Sequence, residues 1–280
     1  DRALALVGED ADALGCAAEL GAARARPEVG LDLVVGQHRR PHRIERAEDR
    51  LAGAQHRKER RKEEERHDRR ELVQQRKREH QRRGARAVLR GHGGRLGIHG
   101  PFWGLDISNP DPDVQAIVAR RMDQALDVCA FLGASQMVIH SPYTLWDHHN
   151  LDHFAWRSAH DWIIANCHAC LRPAVARAEA LGVTVVIENV QDKDPGIRAD
   201  LVRSFESRAV ALSVDTGHAH FMNGVGQAPP VDFFIRGAGD LLQHVHLHDG
   251  DGCADRHWPI GDGSIPWKAV FRALGEAPKM

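Results

Sequence analysis

The stretch "VALSVDTGHAH", residues 210–220, runs from a mostly apolar segment, broken by Ser213, into Asp215 and then at once into Thr216, Gly217 and His218. An apolar run of strand length without polar alternation fits a strand covered on both faces. The same pattern recurs four times. "LGIHGP" ends its run at His99, "QMVIHSP" at His140, "VTVVIENV" at Glu188, and "HVHLHDG" is centred on His246. Each run stops at one ionisable residue, and small or turn-forming residues follow it.

Helical periodicity fills the gaps. "DVQAIVARRMDQALDVCAFLG" sets Val114, Ile117, Val118, Leu126 and Cys129 near one face, with Gly133 as a stop. "AWRSAHDWIIANCHACLRPAVARAEALG" reads as a second helix, interrupted by Pro173 and ending near Gly182. Shorter helices fit "IRADLVRSFES", "VDFFIRGAGD" and "IPWKAVFRALGE". Strands that alternate with helices build βαβ units and a parallel sheet. An open doubly wound sheet is the alternative, but neither a GxGxxG nor a Walker loop is present. Ionisable residues at the carboxyl ends of strands are where α/β barrels keep their chemistry. The expected fold is an α/β (β/α)8 TIM barrel.

Alternate residues of a strand share a face, so His244, His246 and His248 point together. In a barrel that face looks into the lumen, where His246 would meet His99, His140, Glu188 and Asp215. Burying so many ionisable groups without compensation costs on the order of several kcal/mol per charge. A divalent cation removes that cost. His218 follows Asp215 by three residues, and "CADRHW" adds Asp255 and His257 from a loop. Imidazole and carboxylate donors without thiolate suit Zn, Mn, Co or Fe. Any one of these histidines alone has the duller reading of a hydrogen-bonded core or surface residue; the constellation carries the signal.

Charge splits the chain. Residues 1–95 hold 24 Lys and Arg against 17 Asp and Glu, a net +7; residues 96–280 hold 14 against 22, a net −8. The first segment has no aromatic residue and no Ser, Thr, Asn or Met. It is expected to stand apart from a catalytic region at 96–280. Three readings of it stay open: a solvated Arg-rich helix or disordered extension, a basic arm for nucleic acid, and a product of reading-frame slippage in GC-rich coding DNA. No long apolar run or basic leader suggests a membrane span or secretory signal, and five cysteines are no disulfide framework. The expectation is a cytoplasmic chain whose oligomeric state stays open.

Taken together, "GIHGPF", "VIHSP", "VVIENV", "SVDTGHAH", "HVHLHDGDG", "DRHWPIGDGSIPW" and "WKAVFRAL" resemble the xylose isomerase-like barrel superfamily. That superfamily holds sugar-phosphate isomerases and epimerases together with type-IV apurinic endonucleases. The resemblance implies metal at the carboxyl end of the barrel. In the endonuclease branch it implies three metals on His99, His140, Glu188, Asp215, His218, His246, Asp255 and His257. In the sugar branch it implies one metal on Glu188, Asp215 and His246, plus a glutamate ending the last strand. Glu188 would there be catalytic, exchanging a proton beside a sugar carbonyl, with His140, His218 and Arg256 contacting substrate. The superfamily's opening two strands would fall within 1–95, and its last strand after "ALGEAPKM", where Glu276 is a poor stand-in. Strands three to seven of an incomplete barrel are therefore the recognisable ones.

The expected function is a metal-dependent isomerase or epimerase acting on a small sugar or sugar phosphate. The alternatives are a phosphodiesterase on abasic DNA, disfavoured by the net −8, and an inactive member that only binds metal. "WDHHNLDHF" is expected to cover the pocket through Trp146 or Phe154, and "CHAC" to pack within a helix.

Overall fold

The computed structural model describes residues 42–150 and 159–277. The chain divides into two compact units, Asp1–Gln81 and Arg82–Met280. What is described of the first belongs to helix α1 (His42–Val88), whose described side chains from 55 to 81 are all exposed. Glu and basic residues one turn apart pair along it, as Arg60 with Glu64 (3.9 Å) and Arg61 with Glu65 (3.6 Å). Such exposed pairs add only a few tenths of a kcal/mol each, roughly. Phe154, read as a pocket cover, lies outside the described residues.

The second unit is an arc of five parallel strands: β1 (Gly97–His99), β2 (Gln136–His140), β3 (Thr184–Glu188), β4 (Val210–Asp215) and β5 (Leu242–His246), paired in chain order. Helices α2 (Pro112–Leu132), α4 (Ala159–Leu181), α5 (Pro195–Ser204), α6 (Thr216–Gly226) and α7 (Val231–Ala238) lie between the strands, with a short α3 (Leu145–Asn150) after β2. Helix α8 (Trp267–Glu276) follows β5. Parallel neighbours in sequential order, each pair bridged by a helix, are the winding of a (β/α)8 barrel, five strands of which are described.

Strand alternation separates two apolar clusters. Met137, Ile139, Val185, Ile187, Leu212 and Val214 belong to the large core with the helices, whereas Val138, Val186 and Ala211 form a small cluster on the other face of the sheet. That inner face carries the ionisable residues at its carboxyl end. Register sets their height: His140 pairs with Glu188 across β2 and β3, and Asp215 with His246 across β4 and β5.

Helix α2 begins as its sequence suggests, with the Asp111 side chain accepting from Asp113 N–H and Pro112 in the first turn. It buries Val118, Met122, Leu126 and Cys129, but Ile117, read onto that face, is 39% exposed. Helix α4 runs straight through Pro173, which does not interrupt it. A proline forfeits one hydrogen bond; here Cys170, Leu171, Ala174 and Val175 bury on both sides of it, and packing outweighs that loss. Cys167 and Cys170 are buried, unpaired residues of this packed face.

Beneath the strand ends lies a buried Arg198 on α5. Its Nη1 donates to the carbonyls of Ile187 (2.9 Å) and Ser213 (2.5 Å), and its Nε faces Asp192 at 3.5 Å. Both side chains of this pair are inaccessible to solvent. The guanidinium thus bridges β3 and β4 one residue from Glu188 and two from Asp215. Arg198→Ala takes the guanidinium away from buried Asp192 and leaves that carboxylate with its hydrogen bonds from Ser141 Oγ (2.9 Å) and Val190 N–H (3.0 Å). Urea unfolding is expected to show a loss of about 3–5 kcal/mol; a loss below about 1 kcal/mol would refute the bridge.

Candidate metal centre

Glu188 and Asp215 end adjacent strands and are each 1% exposed. Two carboxylates so far from water must be compensated by nearby donors. Asp215 also begins α6: its Oδ1 accepts from His218 N–H at 2.8 Å as the helix cap. Its Oδ2 accepts from His248 Nε2 at 2.7 Å. Asn189, directly after Glu188, holds the Asp215 backbone from both sides, donating to its carbonyl (3.0 Å) and accepting its N–H (2.9 Å). The two acidic strand ends are therefore locked in register by an amide side chain.

Imidazoles surround them. His246 Nδ1 contacts Glu188 Oε1 and lies 3.6 Å from Asp215 Oδ2. His140 Nε2 and His99 Nε2 stand 3.7 and 3.9 Å from Glu188 Oε2. His99 is oriented by a 2.9 Å contact of Nδ1 with the Gly100 carbonyl, which turns Nε2 toward Glu188. His218 Nδ1 likewise meets the Asn189 carbonyl at 2.9 Å, leaving Nε2 toward Asp255 at 3.3 Å. A ring nitrogen fixed by a carbonyl with the other left free is how imidazole ligands are commonly held.

Asp255 and His257 arrive on the loop after β5, and His257 Nε2 lies 3.0 Å from Asp255 Oδ1. The loop is tied by Asp249, fully buried, whose carboxylate accepts from Gly250, Gly261 and Ile265 N–H and from Trp267 Nε1 at 2.7–3.1 Å. Gly261 has φ +98°, and a Cβ at Gly263 would stand 2.3 Å from the Asp249 carboxylate, so "PIGDG" closes only with glycine at both. His257 itself adopts φ +50° and stacks on His248 at 4.0 Å.

All eight residues read as metal ligands thus come together at one end of the sheet. Three subsets each bring their donor atoms within 4.8 Å of one another: His99, His140 and Glu188; Glu188, Asp215 and His218; His218, Asp255 and His257. Arg256 does not join them. Its guanidinium pairs with Asp251 (3.1–3.3 Å) and lies over Trp258. His248 and Asn189 were absent from the expected set. The alternation of β5 put His248 on the right face, but β5 ends at His246, and only the chain turn after it aims the ring at Asp215. Trp146 sits on α3, 62% exposed. Glu276 pairs with Arg236 on α7 at 3.3 Å and takes no part.

The donor set fits a divalent ion. Glu188 Oε1 is buried and accepts no well-formed hydrogen bond, while imidazole nitrogens and carboxylate oxygens without sulfur suit Zn or Mn, with Co or Fe also accommodated. Without an ion, protons do the compensating. Burial disfavours charged imidazole, yet Asp215 and Glu188 outweigh it and hold His246 up at about 10; Asp215 and Asp255 do the same for His218, at about 9. Burial works against the Glu188 carboxylate, yet His246 and His99 bring it down to about 2, and Asp215 is also lowered. His140, where burial prevails over Glu188, falls to about 4 and stays neutral.

Comparison with known proteins places this geometry. Residues 64–278 match the family described as xylose isomerase-like TIM barrel. Uncharacterized protein MJ1311 of Methanocaldococcus jannaschii is 25% identical over 189 residues, 64% of this chain and 59% of that protein. Fructoselysine 3-epimerase of Escherichia coli O157:H7 is 38% identical over 48 residues, 17% of this chain and 18% of the enzyme. The chain thus spans less than two thirds of the length of these curated relatives. A Thermus thermophilus protein soaked with ZnCl2 aligns with TM-score 0.52 and 28% identity over 68% of this chain and 72% of that one. A D-tagatose 3-epimerase-like protein aligns with TM-score 0.58 and 22% identity over 70% and 71%, a likeness of fold.

The raised imidazoles set a pH dependence. A folded pKa above the ordinary 6.5 gives stability that is complete below pH 6.5 and is lost as pH climbs through about 9 for His218 and about 10 for His246. The melting temperature in chelator is expected to fall between pH 6.5 and 10. Added Zn should replace those protons, so its stabilising increment should grow over the same range. An increment that shrinks with rising pH would contradict the assignment.

Proposed function

The chain belongs to the xylose isomerase-like TIM barrel family, and on that footing we propose a metal-dependent isomerase or epimerase that moves a proton beside the carbonyl of a small sugar or sugar phosphate. The observation that carries this is Glu188. It is a buried carboxylate at a strand end, contacted through Oε1 by His246, with His99 and His140 within 4 Å of Oε2. The partial likeness to fructoselysine 3-epimerase supports the same chemistry.

Glu188, Asp215 and His246 would hold the ion, and the ion would supply the positive charge that polarises a substrate carbonyl. Glu188 then takes the proton from the adjacent carbon, and the electron pair left behind delocalises onto the carbonyl oxygen. Glu188 returns that proton to the neighbouring carbon in isomerisation; inversion at the same carbon would need a second acid on the opposite face, the role the resemblance gives to a last-strand glutamate. His218 and His140, which flank the carboxylates, would hydrogen-bond sugar oxygens. Arg256 would reach a hydroxyl or phosphate only by leaving Asp251. Asn189 and Arg198 act by fixing where the carboxylates stand.

A second reading, a type-IV apurinic endonuclease-like phosphodiesterase, is favoured by one observation: three clusters of metal-type donors lie side by side, linked through Glu188 and His218. The acidic balance of 96–280 opposes it, because gripping a phosphate backbone needs positive charge. Among the described residues no helix is long and apolar enough to cross a membrane.

Metal content after exhaustive dialysis separates the readings. One tightly held ion per chain, with epimerised product from a ketose panel, is expected; three ions with nicking of abasic DNA would replace this reading with the second. Glu188→Gln keeps the shape and removes the charge. It should weaken metal affinity by about 100-fold and turnover by about 100-fold or more. Unchanged turnover would remove Glu188 from the chemistry.

A further inference from the structure

An aromatic pair stands at the rim of the metal centre, and proton transfer has no use for it. After β1 the chain makes a turn closed by Leu105 N–H to the Phe102 carbonyl at 3.1 Å, with Gly104 at φ +65°. A positive φ at the third position of a tight turn is one that glycine takes without strain, and the residue before it occupies the second position. That residue is Trp103. The Phe102 ring, half-buried, packs against His99 and His140 with centroids 4.7 and 4.6 Å away. Trp103 continues from it, 5.2 Å from Phe102 and tilted by 33°. At 86% exposure it is the most exposed large apolar side chain among the described residues.

The surface is continuous: two imidazoles of the centre, then a phenyl ring, then an indole. A sugar held at the carboxylates would lie within reach of Phe102, whose face suits the C–H side of a sugar ring. Trp103 lies one ring further out. A monosaccharide on the metal leaves the indole in water, whereas a sugar with a substituent covers it. Resting on the epimerase reading, we propose that the natural substrate is a ketose conjugate, a sugar with an apolar or aromatic group on the carbon chain away from the reacting centre, and that this group lies on Trp103. Phe102 positions the sugar and Trp103 sets the preference for the appended group. Stacking between planar groups is worth roughly 0.5–1.5 kcal/mol beyond the area buried, enough for a measurable preference.

The test uses the full chain loaded with Zn and three sugars: D-fructose, 1-deoxy-1-phenylamino-D-fructose and 6-O-benzyl-D-fructose. Calorimetry is expected to show one of the two derivatives binding about tenfold more tightly than D-fructose. Trp103→Ala should shrink that ratio to about twofold or less, and Trp103→Phe should keep most of it. Equal affinities in the unaltered chain, or a ratio untouched by Trp103→Ala, would overturn the proposal. So would a self-association that Trp103→Ala abolishes without moving the ratio, since the indole would then cover a second copy of the chain. Product analysis by NMR separates the two claims. A preserved binding preference without epimerised product sinks the epimerase reading and leaves the aromatic subsite standing. Product formed without any preference does the reverse.

Discussion

Two carboxylates withdrawn from water at the ends of neighbouring strands govern this structure. Glu188 and Asp215 are almost fully buried, and an uncompensated buried charge costs more than most single interactions can return. The surroundings are organised to meet that cost. Parallel register sets His140 beside Glu188 and His246 beside Asp215. The first turn of α6, the His248 ring, a carbonyl-anchored imidazole and the Asn189 amide supply further contacts. Protons serve as counter-charges in the metal-free protein, and a divalent ion is the natural replacement.

Much of this is legible in the residues alone. Asp215 sits where an apolar run gives way to Thr-Gly-His, and that one transition implies a strand end, a helix start and a ligand together. Four more runs written in the same way lead to parallel strands and a common face. Register is not legible, because it depends on how helices such as α2 and α4 pack on the outer face of the sheet. Nor is the role of His248, whose ring is aimed by two hydrogen bonds between its backbone and the Thr216 hydroxyl. Pro173 misleads for a physical reason: propensity weighs a single residue, while a buried helix is held by its whole face. The Arg-rich first segment offers neither aromatic residues nor an apolar face, so no packing can be read from it.

The centre has two kinds of scaffold. Glu188, Asp215, His99, His140 and His246 stand on strands, where backbone pairing fixes each side chain. Asp255 and His257 stand on a loop whose order depends on the buried Asp249 carboxylate and on glycines that no other residue replaces. The strand-borne half brings His99, His140 and Glu188 donors within 4.8 Å of one another, and the loop residues do the same with His218 of α6. His257, stacked on His248 in a left-handed backbone conformation, joins the two halves.

Asp215 holds a helix start, a histidine and a candidate ion with the same two oxygens. Change at that position would disturb folding and chemistry together, so selection has little freedom there. The Asp255–His257 segment carries no such double duty. Mutational drift is therefore expected to accumulate in that loop, while the acidic strand ends stay constant.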